Sequence, residues 1–448
     1  MAVYRMRNRT QHYDWGSRWM LPALEIGGAV RDESSGSGGG GGSSAEISPE
    51  PVAEVWMGTH PRGPSFVETS SGAFEPLAEV VGSAGTGEMP FLLKILTAER
   101  GLSIQTHPSR ALAYDGYRRE DAQGIDIAAP HRMYRDQNHK PELLCAVEDF
   151  WGLRGFRPLG ELTSEMNRFV DLLPPAAAEL RAALRAFVAS PSTSSWRTAF
   201  AALLQAAEGA ARTAVVAALE QYCHVSDAET DPPGRDDRYW WCRELSRQFP
   251  GDLGAAAPLY LNLVHLKPGE AIFLEAGVLH AYLYGAGVEL MAASDNVLRA
   301  GCTSKHVDRP ELLRALSFVF EPASVVAPEG KPCGSGVVQR YLTSAREFEL
   351  LRCALPPGVS EGRVVFSKSA SSVAVVLSLG GEARVVEAAS ADAASPEAVV
   401  PGRSVPLSPT ESAVVTSETK QFVVELHARG VVYVAGVPGA ITCSDGDG

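Results

Sequence analysis

Two histidines, a glutamate and a glutamine stand in short strand-like segments of the chain, where they could bind one metal ion. In the segment IQTHP, Gln105 and His107 are two residues apart and therefore share one face of a strand. Glu142 opens an apolar strand-like run, and His280 follows the turn after another. Imidazole, carboxylate and amide donors together suit zinc, with positions left open for substrate or water. Because the chain has ten histidines, ordinary structural roles for these four residues stay open as the alternative.

A second group of charges lies in residues 289–305, where acidic, amide and basic side chains alternate with small residues. Asp295, Arg299 and Lys305 belong to it. Arg299 carries a permanent positive charge on a planar fork, so it could stabilise developing negative charge or bind an anion. The alternative is a surface loop with solvated charges.

Composition limits the classes of partner. The 448 residues carry a formal net charge of −13, which repels nucleic acid, although a small phosphorylated ligand needs only a local basic pocket. No apolar stretch approaches the roughly 18 residues of a membrane helix, and the first residues lack the apolar core of a secretory signal. Seven cysteines, an odd number without a C-x-x-C pair, indicate reduced thiols. We therefore expect a cytoplasmic protein without nucleic-acid or membrane partners.

The elements that must position these residues change in character along the chain. Short apolar runs bounded by Gly and Pro indicate strands up to about residue 160 and again from Leu259. Between them the chain is Ala-rich with helical spacing, as in Leu162, Met166, Phe169 and Val170. The pattern predicts a mainly β protein with an inserted α-helical module. The Gly/Ser tract 34–44 and the Ala/Ser-rich stretch 388–398 are predicted to be loops.

The motifs resemble those of the type I mannose-6-phosphate isomerase (phosphomannose isomerase) family. They are, in chain order, YDWG, EVWMGTHP, FLLK, IQTHP, DQNHKPELL, FLEAGVLHAYL and ASDNVLRAG. The resemblance is dense over about 1–160 and 255–320. It implies two cupin-type (jelly-roll) β-barrels plus a helical domain.

The implied domains are a catalytic barrel from residues 1–160 and 255–330, a helical domain 161–254 and a C-terminal barrel 331–448. A disordered Gly/Ser insertion would occupy about 27–48 of the catalytic barrel. After His306 the only histidine is His427, so we expect the C-terminal barrel to be a scaffold without a metal site.

The resemblance also implies roles for individual residues. One Zn²⁺ ion per chain would be bound by Gln105, His107, Glu142 and His280. The catalytic residues would be Arg299, Lys140, His139 and Asp295, and which of the last three is the base stays open. The substrate would contact Lys94, Ser103 and Lys305, which fall where the phosphate is held, and also Tyr282 and Glu289.

Two positions depart from the family pattern. The common HPDK reads His107-Pro108-Ser109-Arg110 here, and Glu275 stands where the family usually has Pro. Neither departure replaces a predicted metal ligand, and His60 is expected to be a hydrogen-bonded core histidine.

The predicted function is that of a zinc-dependent aldose–ketose isomerase acting on a small sugar phosphate. It would interconvert mannose 6-phosphate and fructose 6-phosphate through an enediol-type intermediate and feed mannose into GDP-mannose synthesis, as a monomer. A non-catalytic cupin that binds metal or sugar is the alternative, but it would not need Arg299, Lys140 and Asp295 beside a full ligand set. A cupin oxygenase fits less well, because a glutamine ligand and a basic set do not favour iron–oxygen chemistry.

Overall fold

The computed structural model describes residues 2–25, 47–81, 87–226, 234–388 and 404–443. The predicted Gly/Ser insertion lies outside these residues apart from residues 47 and 48, and so does the Ala/Ser-rich stretch from residue 389 onward. Within the described part, no helix has the length and apolarity needed to cross a membrane.

Most of the regular structure is β-strand, and the strands continue to the C-terminal end of the described chain. In chain order they are β1 (Val3–Arg7), β2 (Arg9–Gln11), β3 (Glu54–Met57), β4 (Phe66–Glu68), β5 (Phe74–Pro76), β6 (Phe91–Ala98), β7 (Ile104–Thr106), β8 (Glu142–Ala146), β9 (Phe150–Phe156), β10 (Leu261–Leu266), β11 (Ala271–Leu274), β12 (His280–Ala292), β13 (Leu298–Gly301), β14 (Glu329–Cys333), β15 (Gly336–Tyr341), β16 (Glu349–Ala354), β17 (Glu361–Lys368), β18 (Ala374–Leu379), β19 (Ala383–Glu387), β20 (Ser404–Leu407), β21 (Ser412–Val415), β22 (Gln421–His427), β23 (Val431–Gly436) and β24 (Ile441–Cys443).

The helices concentrate between β9 and β10. In chain order they are α1 (Met20–Glu25), α2 (Leu77–Val81), α3 (Arg110–Ala122), α4 (Leu159–Val170), α5 (Ala178–Ala189), α6 (Thr193–Ala206), α7 (Arg212–Ser226), α8 (Arg238–Gln248), α9 (Ala257–Tyr260) and α10 (Arg309–Ala315). The prediction of a mainly β protein that also contains helices is confirmed.

Strand β12 is the centre of a 10-stranded sheet that carries the predicted site. Its first residues pair with β9 and β7, and its second half, from Gly285, pairs with β6 and β8. The change of partner occurs at Gly285, whose φ of 126° is rarely adopted by residues with a side chain. A Cβ atom there would lie 2.6 Å from the carbonyl oxygen of Asp149. One bent strand can therefore present His280 and Glu289 to the same interior.

The C-terminal strands form a 9-stranded and a 5-stranded sheet that pack against each other through aliphatic side chains. The 9-stranded sheet also contains β1, β4 and β5, since Val3 of β1 lies opposite Val415 of β21. The range 1–160 is thus shared between sheets. The sequence could not indicate this pairing, because it joins residues more than 400 positions apart.

The helices between β9 and β10 share one hydrophobic core with the 10-stranded sheet. In α4, the four apolar residues picked out by their helical spacing are all buried. Phe156 of β9 packs its ring against Trp196 and Phe200 of α6, with centroids 5.9 and 5.6 Å away. These large buried rings support the sheet from the outside, next to the strands that hold the site.

Candidate metal centre

Strand pairing brings three of the predicted site residues side by side. Gln105 of β7 lies opposite His280 of β12 on one side and Arg299 of β13 on the other. His107 follows directly after β7, two residues beyond Gln105. The paired strands β12, β7 and β13 therefore bring together residues that are almost 200 positions apart in the sequence.

The ligand atoms of His107, Glu142 and His280 all lie within 4.8 Å of one another. The Nε2 atom of His107 is 3.2 Å from Oε1 of Glu142, and that of His280 is 3.5 Å from Oε2 of the same carboxylate. All three side chains are completely or almost completely buried. Two imidazoles thus converge on one carboxylate in the protein interior.

Backbone carbonyls fix the orientation of both imidazoles. Nδ1 of His107 is 2.7 Å from the carbonyl oxygen of Asn296, and Nδ1 of His280 is 2.9 Å from that of Val278. Each Nδ1–H donates to its carbonyl, which leaves the lone pair on Nε2 and holds the ring in place. Both Nε2 atoms are buried without a hydrogen-bond partner. Buried nitrogen lone pairs of this kind are what a bound metal requires, so the residues fit zinc.

The protonation states suit the same purpose. Burial lowers the pKa of His107 to about 4, although the Glu142 carboxylate acts in the opposite direction. Burial also opposes the ionisation of Glu142, but the Lys140 ammonium holds the pKa of that carboxyl well below its ordinary value. Nζ of Lys140 lies 2.8 Å from Oε1 of Glu142. At neutral pH the site therefore offers a neutral His107 imidazole and an ionised carboxylate, the forms that bind metal.

Gln105 is half-buried, and its side-chain oxygen accepts a hydrogen bond from the hydroxyl of Ser103 at 3.3 Å. An amide oxygen has two lone pairs, so this contact leaves one free for a metal. The contact also places Ser103, a predicted phosphate contact, directly beside a predicted ligand. The ligand role of Gln105 stays a prediction.

A second buried network continues from the metal centre through Tyr282. Its hydroxyl donates to Glu289 at 3.0 Å and is 3.5 Å from Glu142. Nζ of Lys94 lies 2.9 Å from Glu289 and 3.1 Å from Glu54. Burial opposes the charge of Lys94, but Glu289 and then Glu54 raise its pKa above the ordinary value. The ammonium that was expected to meet the phosphate is thus already shared by two carboxylates.

Positive charge gathers around Arg299. Burial and then Arg135 lower the pKa of Arg299 to about 10, so it remains a cation at neutral pH. Burial, followed by Arg299, Arg62 and Arg135, lowers the pKa of Lys305. Arg135, Arg299 and Lys305 form no ion pair with any residue that the structure describes. Such a concentration of unpaired cations favours an anionic ligand. Arg135 escaped the sequence analysis, because nothing in its spacing relates it to Arg299.

Asp295 is held from two sides. Its carboxylate lies 3.0 Å from the Arg62 guanidinium and 3.5 Å from Nε2 of His60. Nδ1 of His60 accepts a hydrogen bond from the backbone N–H of Arg62, which leaves the proton on Nε2, facing Asp295. His60 is buried, as expected, but it supports a predicted catalytic carboxylate rather than an apolar core.

Asn296 is a fully buried side chain that the sequence analysis missed. Its side-chain oxygen accepts from the backbone N–H of Arg135 at 2.7 Å. Its side-chain nitrogen donates to the carbonyls of Asp136 and Asn138, each at 2.8 Å. The backbone carbonyl of Asn296 accepts a hydrogen bond from His107, so this one residue connects the 135–138 segment to a metal ligand. An asparagine beside a charged residue is the only sequence signal of this role.

His139 lies outside the three-residue metal cluster and contacts the C-terminal part of the chain. Its Nε2 atom is 2.8 Å from Oε1 of Glu347 and 2.9 Å from the Arg110 guanidinium. The two departures from the family pattern lie nearby. Ser109 accepts from Leu112 N–H and caps α3, and Glu275 accepts a hydrogen bond from Ser344 at 2.7 Å.

Three comparisons with known proteins point to the same enzyme family. A family model described as phosphomannose isomerase type I, catalytic domain, matches residues 3–159. The mannose-6-phosphate isomerase of Escherichia coli (strain K12) is 35% identical over 333 residues, which cover 72% of this chain and 76% of that protein. Mannose-6-phosphate isomerase 1 of Arabidopsis thaliana is 33% identical over 410 residues, or 87% of either protein. A crystal structure of zinc-bound mannose 6-phosphate isomerase matches with a TM-score of 0.75 and 29% identity, covering 97% of this chain and 99% of that one.

Proposed function

The chain belongs to the type I phosphomannose isomerase family, as its motifs predicted, and we propose that it interconverts mannose 6-phosphate and fructose 6-phosphate with one bound zinc ion. The observation that carries the proposal is the pair of buried imidazoles, His107 and His280. Their Nε2 atoms lack hydrogen-bond partners and face the ionised Glu142.

Zinc is bound in this proposal by Gln105, His107, Glu142 and His280. When bound, it supplies Lewis-acid polarisation of the substrate oxygens at C1 and C2, which lowers the cost of negative charge on them. The two nitrogen and two oxygen donors suit zinc better than magnesium or calcium, which prefer oxygen ligands alone.

The isomerisation moves a proton between C2 and C1 through an enediol-type intermediate, and three residues are candidates for handling it. Lys140 is positioned by its ion pair with Glu142, and Asp295 by Arg62 and His60. His139 is the third, with its Nε2 held by Glu347. A general base must reach the substrate proton, and each of these groups is held in place by a charged partner.

Substrate charge is bound by the unpaired cations. Arg299 and Lys305 hold the phosphate or the enediolate charge, with Arg135 beside them. Lys94, Glu289 and Tyr282 form a closed hydrogen-bonded network next to Glu142, so sugar hydroxyls are a better partner for them than a phosphate. Ser103 stays a phosphate contact in this proposal.

The wider setting is part of the same proposal. The sheets form two cupin-type barrels, and residues 161–254 form a helical domain. The enzyme acts as a monomer in the cytoplasm and supplies mannose units for GDP-mannose synthesis. All seven cysteines are free thiols, which agrees with a reducing compartment.

The test is an assay that follows fructose 6-phosphate formation from mannose 6-phosphate, with and without a chelator. We expect turnover that the chelator abolishes. Metal binding without turnover would favour the non-catalytic cupin instead.

A further inference from the structure

One short connection of the C-terminal region, residues 342–348 between β15 and β16, reaches the segments that carry the metal ligands. Oε1 of Glu347 lies 2.8 Å from Nε2 of His139 and 2.6 Å from the Arg110 guanidinium. In the same connection, the hydroxyl of Ser344 donates to Glu275 at 2.7 Å. These contacts join parts of the chain that are 69 to 237 residues apart.

The two partners of Glu347 each lie three residues from a metal ligand. Arg110 follows His107, and His139 precedes Glu142. One carboxylate therefore bridges two of the three segments that converge on the metal centre. The Glu347 side chain is only 11% exposed, and of its two partners His139 is better shielded from water than Arg110, at 26% against 59% exposed.

The carboxylate is ionised at neutral pH. Burial opposes this, but the hydrogen bond with His139 holds the pKa of Glu347 below the ordinary value. The same Nε2 atom lies 2.9 Å from the Arg110 guanidinium, so the carboxylate and the guanidinium together engage Nε2 and fix the orientation of the ring. The other ring nitrogen, Nδ1, is then the one available for proton transfer.

We infer that Glu347 is a positioning residue of the isomerase reaction, which orients His139 from the C-terminal region. The C-terminal barrel, which was expected to be only a scaffold, thus contributes a side chain to the active site of the catalytic barrel. The inference rests on the proposed function, in which His139 takes part in handling protons.

Glu347→Gln tests this role, because it keeps the size of the side chain and removes its charge. We expect kcat to fall about 10-fold, as for other supporting groups that orient a reacting imidazole. KM for mannose 6-phosphate, zinc content and melting temperature should stay close to those of the original protein. Ser344→Ala is the matched control, since it removes the other polar contact of the same connection, and it should leave kcat unchanged.

A double-mutant cycle separates positioning from general support. If Glu347 acts through His139, Glu347→Gln should have no further effect on kcat in a His139→Gln background. In an Arg110→Gln background it should keep its full effect. An unchanged kcat in Glu347→Gln, or the same 10-fold loss without His139, overturns the inference. A loss of kcat in Ser344→Ala also overturns it, because any weakening of the contacts made by residues 342–348 would then be enough to lower kcat.

Failure of the proposed function has a different signature. In that case the unmodified, zinc-loaded chain shows no isomerase activity, and the cycle gives no kcat to compare.

Discussion

Replacing Asn296 with Asp should separate the support of the metal centre from the stability of the fold. The change keeps the shape of the side chain but turns its NH₂ donor into an oxygen acceptor. That donor makes two hydrogen bonds of 2.8 Å, to the carbonyls of Asp136 and Asn138, and lies 3.1 Å from an oxygen of the Asp136 carboxylate.

The magnitude follows from these contacts. Two lost hydrogen bonds cost about 2 kcal/mol, and oxygens left facing each other in a buried site add about 1–3 kcal/mol. The free energy of unfolding should therefore fall by about 3–5 kcal/mol. Because the Asn296 carbonyl orients His107, zinc affinity should also fall by about 10- to 100-fold.

The assay pairs urea unfolding of the metal-free protein with competition for zinc against a chromogenic chelator. Asn262→Asp is a matched control. Its side-chain nitrogen also donates to backbone carbonyls, those of Arg154 and Glu321 at 3.0 Å, and it contacts neither of the carbonyls that orient the imidazoles of His107 and His280. The control should lose stability and keep its zinc affinity. Unaltered zinc affinity in Asn296→Asp would refute the reasoning.

Three further predictions concern the metal centre and its surroundings. His280→Ala should lower zinc content and turnover together, and full turnover in zinc-free protein of this variant would show that His280 is no ligand. Arg299→Ala should lower kcat about 100-fold or more with zinc content unchanged, if Arg299 stabilises charge in the transition state. A raised KM at constant kcat would mean that Arg299 binds the substrate equally well in the ground state and the transition state. Arg299→Lys keeps the charge and shows whether the planar guanidinium is needed. Burial lowers the pKa of His107 from 6.5 to about 4, so between these two pH values the unfolded state binds a proton that the folded state does not. The free energy of unfolding of the metal-free protein should therefore decrease by about 3 kcal/mol as pH falls from 6.5 to 4. His107→Gln should flatten that part of the pH dependence of unfolding.

Local patterns in the sequence were enough to predict the elements around the site. The apolar run that Glu142 opens indicated the buried strand β8, and the helical spacing in α4 identified its buried side. Both are short-range properties, which depend only on backbone geometry and on the residue types within a few positions.

Contacts made by backbone atoms or by distant side chains could not be predicted in this way. The support of His107 comes from a carbonyl of Asn296, and a carbonyl carries no residue-specific signal. Lys94 was expected to contact the substrate phosphate, but it pairs with Glu54 and Glu289, which are 40 and 195 residues away. The Glu347 contact with His139 spans 208 residues. Tertiary folding decides such pairings.

The most direct test of the central claim is a zinc titration of chelator-treated protein, with mannose 6-phosphate isomerase activity measured at each addition. We predict no activity at the start and a linear rise that ends at one zinc ion per chain. Glu142→Gln, which removes the carboxylate that both imidazoles face, should need a large excess of zinc and reach far lower activity. Full activity before any zinc is added, or none at saturation, would contradict the account.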